Sequence, residues 1–390
     1  MDGDAPFLYK LSGEGDNVAS QTRISPVKRE TLNALCPYFT MFPLSVPARQ
    51  LQGLARDQWV LDPFCGRGTT NFAARLLGLP SVGIDSNPVA AAITEGKMVS
   101  VTAERVGEAC GEALAVAPEV DVPYGDFWRL CYHSRTLRDL SRLRADLIRD
   151  CQSPERKALR ALVLGLLHGP RTKGTPSYLS NQMPRTYAAK PEYAVRFWTR
   201  KGLQPEYVDL AELVERKARH YFTVAPEPVP FRVICGDSRS FNLADSGLKF
   251  SRVVTSPPYL GMRTYVPDQW LRYWFLGGPA AVTYRHAEQF THTSAADFAR
   301  QLGSVWANVA RACHPGARMI IRFGGIHDRK ANPKEVMLAA LEEASCGLRL
   351  LTVRSAGLSS RGKRQADQFQ RVLRKPIEEL DFYVRVEGAR

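Results

Sequence analysis

Short apolar runs that stop at a carboxylate or a small polar residue recur along this chain, and they set the expectation for its architecture. Trp59-Val60-Leu61-Asp62, Val82-Gly83-Ile84-Asp85, Phe231-Arg232-Val233-Ile234-Cys235 and Arg252-Val253-Val254-Thr255 lack helical spacing and are bounded by Gly, Pro or Ser. They predict buried strands of a parallel sheet, whose two covered faces leave no solvent side to mark with polar alternation. A fifth strand is expected over 318–323, with 348–353 and 382–386 closing the sheet. Helical patterns fall near 46–54, from Thr69-Thr70, from Asn87-Pro88, over 295–313 and over 335–343. Proline at a first helical position marks three further starts, at Ser153-Pro154-Glu155, Lys190-Pro191-Glu192 and Gln204-Pro205-Glu206. Strands interleaved with helices give an α/β class and a doubly wound, Rossmann-like sheet.

The organisation follows from where that alternation breaks. Residues 1–35 are rich in Gly, Asp and Ser without periodicity and read as an N-terminal arm; 36–103 and 229–390 form the sheet unit; 104–228 is a mostly helical insertion. Among 390 residues, 44% are hydrophobic, enough for a large core, and the formal net charge is +14. Residues 129–220 carry 19 Lys and Arg against 9 Asp and Glu, so most of the surplus sits in that stretch of the insertion. A surplus of this size points to a polyanionic partner. Nucleic acid suits it better than a membrane, because no stretch approaches the ~20 apolar residues that span a bilayer. The start, Met1-Asp2-Gly3-Asp4-Ala5-Pro6, lacks the basic region and apolar core of a signal peptide, so a cytoplasmic protein is expected. Eight cysteines with no Cys-x-x-Cys pair argue against zinc and against a disulfide framework, and no metal is expected.

The chemistry concentrates at the ends of the runs. Asp62-Pro63-Phe64-Cys65-Gly66-Arg67-Gly68-Thr69-Thr70 reads as strand, glycine turn and helix start, a unit that presents backbone N–H groups at close range. About 20 residues on, Asp85 ends the second strand, the position from which doubly wound folds grip ribose hydroxyls. The spacing is Gly-x-Gly without a third glycine, and no Gly-Lys-Ser/Thr follows, which disfavours nicotinamide dinucleotides and nucleoside triphosphates. Asp237 ends the third strand and can accept from an adenine amino group. Ser256-Pro257-Pro258-Tyr259 ends the fourth. Its prolines fix the backbone so that the Ser256 hydroxyl and the Pro257 carbonyl aim two acceptors at one point, with the flat ring of Tyr259 beside them. A planar exocyclic amine of a nucleobase needs that arrangement, and such a base must first leave its stack. Cys65 lies inside the glycine turn and reads as small loop packing, so a covalent cytosine-C5 mechanism is disfavoured.

On these two motifs the chain resembles the S-adenosylmethionine-dependent amino-group DNA methyltransferases. The resemblance covers roughly residues 35–100 and 230–330. Thr255-Ser256-Pro257-Pro258-Tyr259 is similar to their catalytic motif in its N4-cytosine form; N6-adenine enzymes more often carry Asp or Asn where Ser256 stands. The resemblance implies Ser256, Pro257, Pro258 and Tyr259 as catalytic residues. It implies cofactor contacts from Asp62, Pro63, Phe64, Gly66, Gly68, Thr69, Thr70, Asp85, Asn87, Asp237, Ser238 and Thr255. A segment that includes Phe39 and Pro43 would pack over the methionine end of the cofactor, or else belongs to a helix covering the sheet edge. Double-stranded DNA is the implied partner, with a cognate restriction endonuclease acting separately. Adenine-N6 transfer to DNA, guanine-N2 transfer to RNA and DNA binding without turnover are the alternatives.

Three further stretches bear on nucleic-acid binding. The polar, proline-punctuated loop 168–187 interleaves Arg171, Lys173, Asn181, Gln182 and Arg185, types that suit phosphates and base edges, or else it is a solvated connector. Arg263 follows the Ser-Pro-Pro-Tyr segment. Arg361, Lys363 and Arg364 belong to a basic run over 355–375 that either clamps a phosphate backbone or faces solvent. The aromatic stripe Trp270 to Phe275 reads as core or as a wall of the base pocket.

Overall fold

The computed structural model describes residues 30–38, 43–116, 120–171, 174–184, 190–223, 227–260, 267–282, 294–324, 331–358 and 378–387. In chain order these form α1 (Ser45–Leu51), β1 (Trp59–Asp62), α2 (Thr69–Leu76), β2 (Ser81–Asp85), α3 (Pro88–Met98) and α4 (Ala103–Val116). Then come α5 (Asp126–Cys131), α6 (Ser134–Arg149), α7 (Pro154–Leu166), α8 (Pro191–Lys201), α9 (Leu210–Tyr221), β3 (Phe231–Cys235) and β4 (Phe250–Thr255). The chain continues through α10 (Trp270–Phe275), α11 (Ala295–Ala312), β5 (Cys313–Gly324), α12 (Pro333–Glu343), β6 (Leu348–Leu358) and β7 (Glu378–Val386).

One sheet runs in the order β3-β2-β1-β4-β5-β7-β6. Strands β1 to β5 are parallel, and β7 is antiparallel to both of its neighbours. The strand order reverses between β1 and β4, and open α/β sheets bind ligands at such a switch point, outside the carboxyl ends of the strands. Alternate residues of each strand feed opposite faces. Val60, Val254 and Ile320 pack with Leu51, Ala73, Ala74 and Leu79, under α1 and α2. Leu61, Val253, Met319 and Ile321 join Phe298, Trp306 and Met337 of α11 and α12. Burial on both sides accounts for the unbroken apolar runs.

The helical segment is not a body apart. Its buried residues, Trp128 and Trp198 among them, share one cluster with Ile93 of α3 and with α10. At Gly96 of α3 a Cβ would sit 2.2 Å from Ala161 Cβ and 2.9 Å from the Lys157 carbonyl of α7, so the two helices cross in direct contact.

Most expected boundaries are found within a few residues, and three departures have physical causes. Helix α1 stops at Leu51 rather than 54, because Gln52 is extended, with φ −58° and ψ 142°. Strand β5 starts at Cys313 rather than 318, since Gly316, at φ 84°, lets the chain take a register shift against β4. No helix begins at Gln204-Pro205: α9 begins five residues later, where Asp209 caps it by accepting from Glu212 N at 3.0 Å. Ser153 and Pro191 do open helices as expected. The stripe Trp270 to Phe275 is core: Trp270 and Trp274 are 4% and 3% exposed and pack on Phe127 and Trp128. No helix of the described residues is long and apolar enough to cross a membrane.

Candidate active site

The loop after β1 is the hub of the site. Gly66 and Gly68 adopt left-handed φ of 52° and 73°, a conformation that costs other residues ~1–2 kcal/mol. At Gly68 a Cβ would also lie 2.5 Å from Thr94 Cγ2, so α3 closes tightly over the loop. Thr94 Oγ1 donates to the Gly66 carbonyl at 3.0 Å and fixes the turn from that side.

Every neighbouring strand end is hydrogen-bonded to this loop. From β4, Thr255 Oγ1 donates to Asp62 Oδ1 at 2.6 Å, and Thr70 Oγ1 donates back to the Val254 carbonyl at 3.0 Å. From β2, Asp85 accepts from Gly66 N at 2.9 Å and from Asn87 N at 2.9 Å. From β3, Ser238 Oγ donates to the Pro63 carbonyl at 2.5 Å. Four loop tips, drawn from residues 62 to 256, thus meet at one edge of the sheet.

The electrostatics follow from burial. Asp62 is 2% exposed; desolvation pushes its carboxyl up to about 6, against hydrogen bonds from Thr255, Thr70 and Phe64 N. Burial likewise lifts Asp85 to about 6, opposed by the N–H groups of Asn87 and Gly66. Both are ionised at neutral pH, so two negative charges stand beside the loop. Each oxygen of Asp85 has taken one N–H and keeps a lone pair, the number that two vicinal hydroxyls require. The residues therefore fit a ribose-bearing cofactor that carries positive charge.

Several side chains have tasks the sequence did not reveal. Asn87 is the N-cap of α3, accepting from Val89 N at 2.9 Å and donating to Tyr38 OH at 2.9 Å, so its amide positions the helix. Asp237 is gripped by Arg239, whose backbone N and guanidinium all donate to it, and Arg239 donates onward to Gln301 at 2.7 Å. Burial works to raise the Asp237 carboxyl, but the Arg239 contacts hold it below its ordinary range. An adenine amine at Asp237 must share that carboxylate with Arg239. Phe64 packs edge-on against Trp306, with centroids 6.0 Å apart, and Thr69 is buried at the start of α2. Cys65 is 5% exposed, and burial together with Asp85 and Asp62 pushes its thiol well up, which fits packing and not nucleophilic work.

Ser256 and Pro258 are half-buried and Pro257 is buried. The Tyr259 hydroxyl donates to Glu379 Oε1 of β7 at 3.2 Å, and its ring packs edge-on against Phe323 with centroids 5.4 Å apart. Gly324 makes room for that ring: a Cβ there would come within 3.2 Å of Tyr259 and of Glu379. Beside them Arg322 and Asp381 form a two-bond ion pair of 2.7 and 2.8 Å across β5 and β7. No signal in the sequence tied Glu379 to residue 259; the antiparallel register of β7 does so.

The nucleic-acid expectations fare unevenly. Asn181 is 6% exposed and its amide donates to the Leu130 and Leu203 carbonyls, so it is a structural clamp and not a reader of base edges. Arg171 is ion-paired with Glu206, which binds its charge to the protein. Gln182 lines a cavity of about 380 Å³ together with Tyr178, Ser180 and Gln204. Pro43 is exposed. Phe39, Lys173, Arg185, Arg263, Arg361, Lys363 and Arg364 lie outside the described residues.

A family model for N6 and N4 methyltransferases, described as DNA methylase, matches residues 14–96. The type II methyltransferase M.BsoBI of Geobacillus stearothermophilus is 35% identical over 68 residues, which are 17% of this chain and 13% of that protein. Among solved structures, the rRNA methyltransferase aviRa from Streptomyces viridochromogenes aligns at TM-score 0.35 and 12% identity, over 94% of each chain. TrmN from Thermus thermophilus aligns at TM-score 0.33 and 11% identity, over 94% of this chain and 55% of its own. Over its glycine-loop segment this chain is similar to amino-group DNA methylases, the matched stretch being a small part of either protein, and the match does not separate their N4 and N6 types.

Proposed function

We propose that this protein transfers a methyl group from S-adenosylmethionine to the exocyclic N4 amine of a cytosine extruded from duplex DNA. The observation that carries this reading is the 2.6 Å hydrogen bond from Thr255 to Asp62, which locks the glycine loop to the Ser-Pro-Pro-Tyr segment. A cofactor seated on one is then adjacent to a base seated on the other. Similarity to DNA methylases over residues 14–96 supports the same conclusion, as does the net charge of +14.

When bound, S-adenosylmethionine supplies a methyl group already activated on a positively charged sulfur. The glycine loop offers backbone N–H groups to it, and Asp85 accepts from its ribose hydroxyls. Asp62 and Asp85, both ionised at neutral pH, lower the energy of positive charge at the strand edge. On the base side, the Ser256 hydroxyl and the Pro257 carbonyl accept from the amine N–H groups. That draws the nitrogen lone pair out of the ring and makes it a better nucleophile. Tyr259 provides a ring face for the base. Positioning and electrostatics supply the rate, and no general base acts before attack, because the amine proton becomes acidic only once nitrogen carries the new methyl. Serine at 256, where N6-adenine enzymes more often carry an acid or amide, favours cytosine. Residues 104–228 select the target sequence, with Gln182 available to it and Arg171 and Asn181 serving the fold.

The test is to incubate the protein with unmodified DNA and S-adenosylmethionine, digest to nucleosides and run mass spectrometry. The expected product is N4-methylcytosine. N6-methyladenine moves the target to the other amine, and methylation confined to RNA removes the DNA reading.

A further inference from the structure

A group of buried cations in and near the glycine loop has no task in the mechanism. Arg67 stands between the two left-handed glycines, is 8% exposed, and its Nε has no acceptor among the described residues. Lys97 is fully buried, with Asn33 Oδ1 at 3.2 Å and the Phe72 ring centroid at 5.6 Å. Arg272 is 3% exposed and donates to the Leu164 carbonyl at 3.0 Å. All three charges bear on Cys36, and those of Arg67 and Lys97 bear on each other. Among the described residues no carboxylate offsets Arg67 or Lys97. Burial accordingly depresses both, Arg67 to about 10 and Lys97 well below its ordinary range.

An uncompensated buried cation is costly, and a fold retains one where an anion arrives to meet it. The charge pattern across the loop narrows that anion. Asp62 and Asp85 accept from the loop's own N–H groups at Phe64 and Gly66, and Arg67 is the next residue of that loop. A dianionic phosphate would be repelled by the two aspartates. A ligand with a cationic centre and a carboxylate a few bonds away satisfies both sides, and the planar guanidinium fork suits a carboxylate with two parallel hydrogen bonds.

We propose that Arg67 is the receptor for the α-carboxylate of the cofactor's amino-acid end, with Lys97 and Arg272 providing the positive potential behind it. This rests on S-adenosylmethionine being the cofactor. Arg67 is then a binding residue that sets which adenosyl compounds the loop accepts.

The full chain and its Arg67→Met and Arg67→Lys variants are titrated calorimetrically with S-adenosylhomocysteine and with 5′-methylthioadenosine, which lacks the carboxylate, and each is melted without ligand. Arg67→Met is expected to weaken S-adenosylhomocysteine about 30-fold, the worth of a charge-assisted pair, and to change methylthioadenosine by less than about threefold, as a contact to the carboxylate alone requires. It is also expected to raise the ligand-free melting temperature, because an unmatched charge has been removed. Arg67→Lys recovers part of the affinity. The proposal is overturned if both nucleosides weaken equally. It is also overturned if Arg67→Met lowers the ligand-free melting temperature, the sign of an acidic side chain elsewhere in the chain as the true partner. A wild-type chain that binds neither nucleoside removes the cofactor reading first, and this assignment with it.

Discussion

Thr255→Val isolates the bond that joins the two halves of the site. The hydroxyl of Thr255 donates at 2.6 Å to Asp62, which is 2% exposed, and valine keeps the shape while deleting the donor. A hydrogen bond to an ionised acceptor contributes ~2 kcal/mol, and ~1.4 kcal/mol corresponds to one pH unit. Losing it therefore lifts the Asp62 carboxyl from about 6 to ~7.5. The sign follows from proton linkage. The folded carboxyl holds its proton more tightly than the unfolded one, whose ordinary value is 3.8, so its contribution to stability is complete below that value. That contribution fades as pH rises through about 6 in the wild type, and in the variant the fading runs on to ~7.5. Urea denaturation of both proteins at pH 5 and pH 8.5 should thus show the substitution costing ~2 kcal/mol more at the higher pH. A cost that is the same at both pH values would refute the claim that Thr255 keeps Asp62 ionised, and with it the electrostatic role given to that pair.

Other perturbations separate the remaining parts of the site. Ser256→Ala is expected to lower methyl transfer by ~100-fold or more while leaving S-adenosylhomocysteine affinity within about twofold; wild-type activity in a tritiated-methyl assay removes the serine from the chemistry. Gly68→Ala forces a side chain into φ 73° and to within 2.5 Å of Thr94, so it should cost ~2 kcal/mol or more in a thermal melt and displace the loop, read as weakened S-adenosylhomocysteine binding. Because Asp85 must be ionised to accept from ribose and titrates at about 6, the dissociation constant of S-adenosylhomocysteine should be flat above pH 7 and rise ~tenfold per unit well below 6. A flat profile down to pH 4.5 detaches Asp85 from the ligand.

The strands that carry the site were legible because two-sided burial writes itself into sequence as apolar runs, and because loop chemistry follows directly at their ends. Glycine at 66 and 68 was equally readable, since few other residues tolerate the turn. What the sequence concealed depends on neighbours distant along the chain. Arg239 quenches Asp237 only because the turn after β3 folds the guanidinium back on it, and Glu379 reaches Tyr259 only through the register of β7. Asn181 has the composition of a base reader and the burial of a clamp. Gln204-Pro205 carried a helix-start pattern without a short acceptor side chain, and Asp209 supplied the cap instead. Nothing in the pattern of α2 and α3 marks Arg75 and Lys97 as buried, yet they are 2% and 0% exposed, Arg75 bonding Ser100 at 2.7 Å.

The direct crossing of α3 and α7 at Gly96 constrains how this scaffold can be re-engineered. Helix α3 follows Asp85 after a two-residue turn, so the helical segment is bolted to the helix that leaves β2 rather than hung from the sheet on a hinge. On the target-selecting role proposed for 104–228, a chimera that imported only that segment from a relative would set a foreign α7, in place of Ala161 and Lys157, against Gly96. Swaps intended to redirect specificity should exchange α3 and α7 as a matched pair, or keep both and graft only the loops between the later helices.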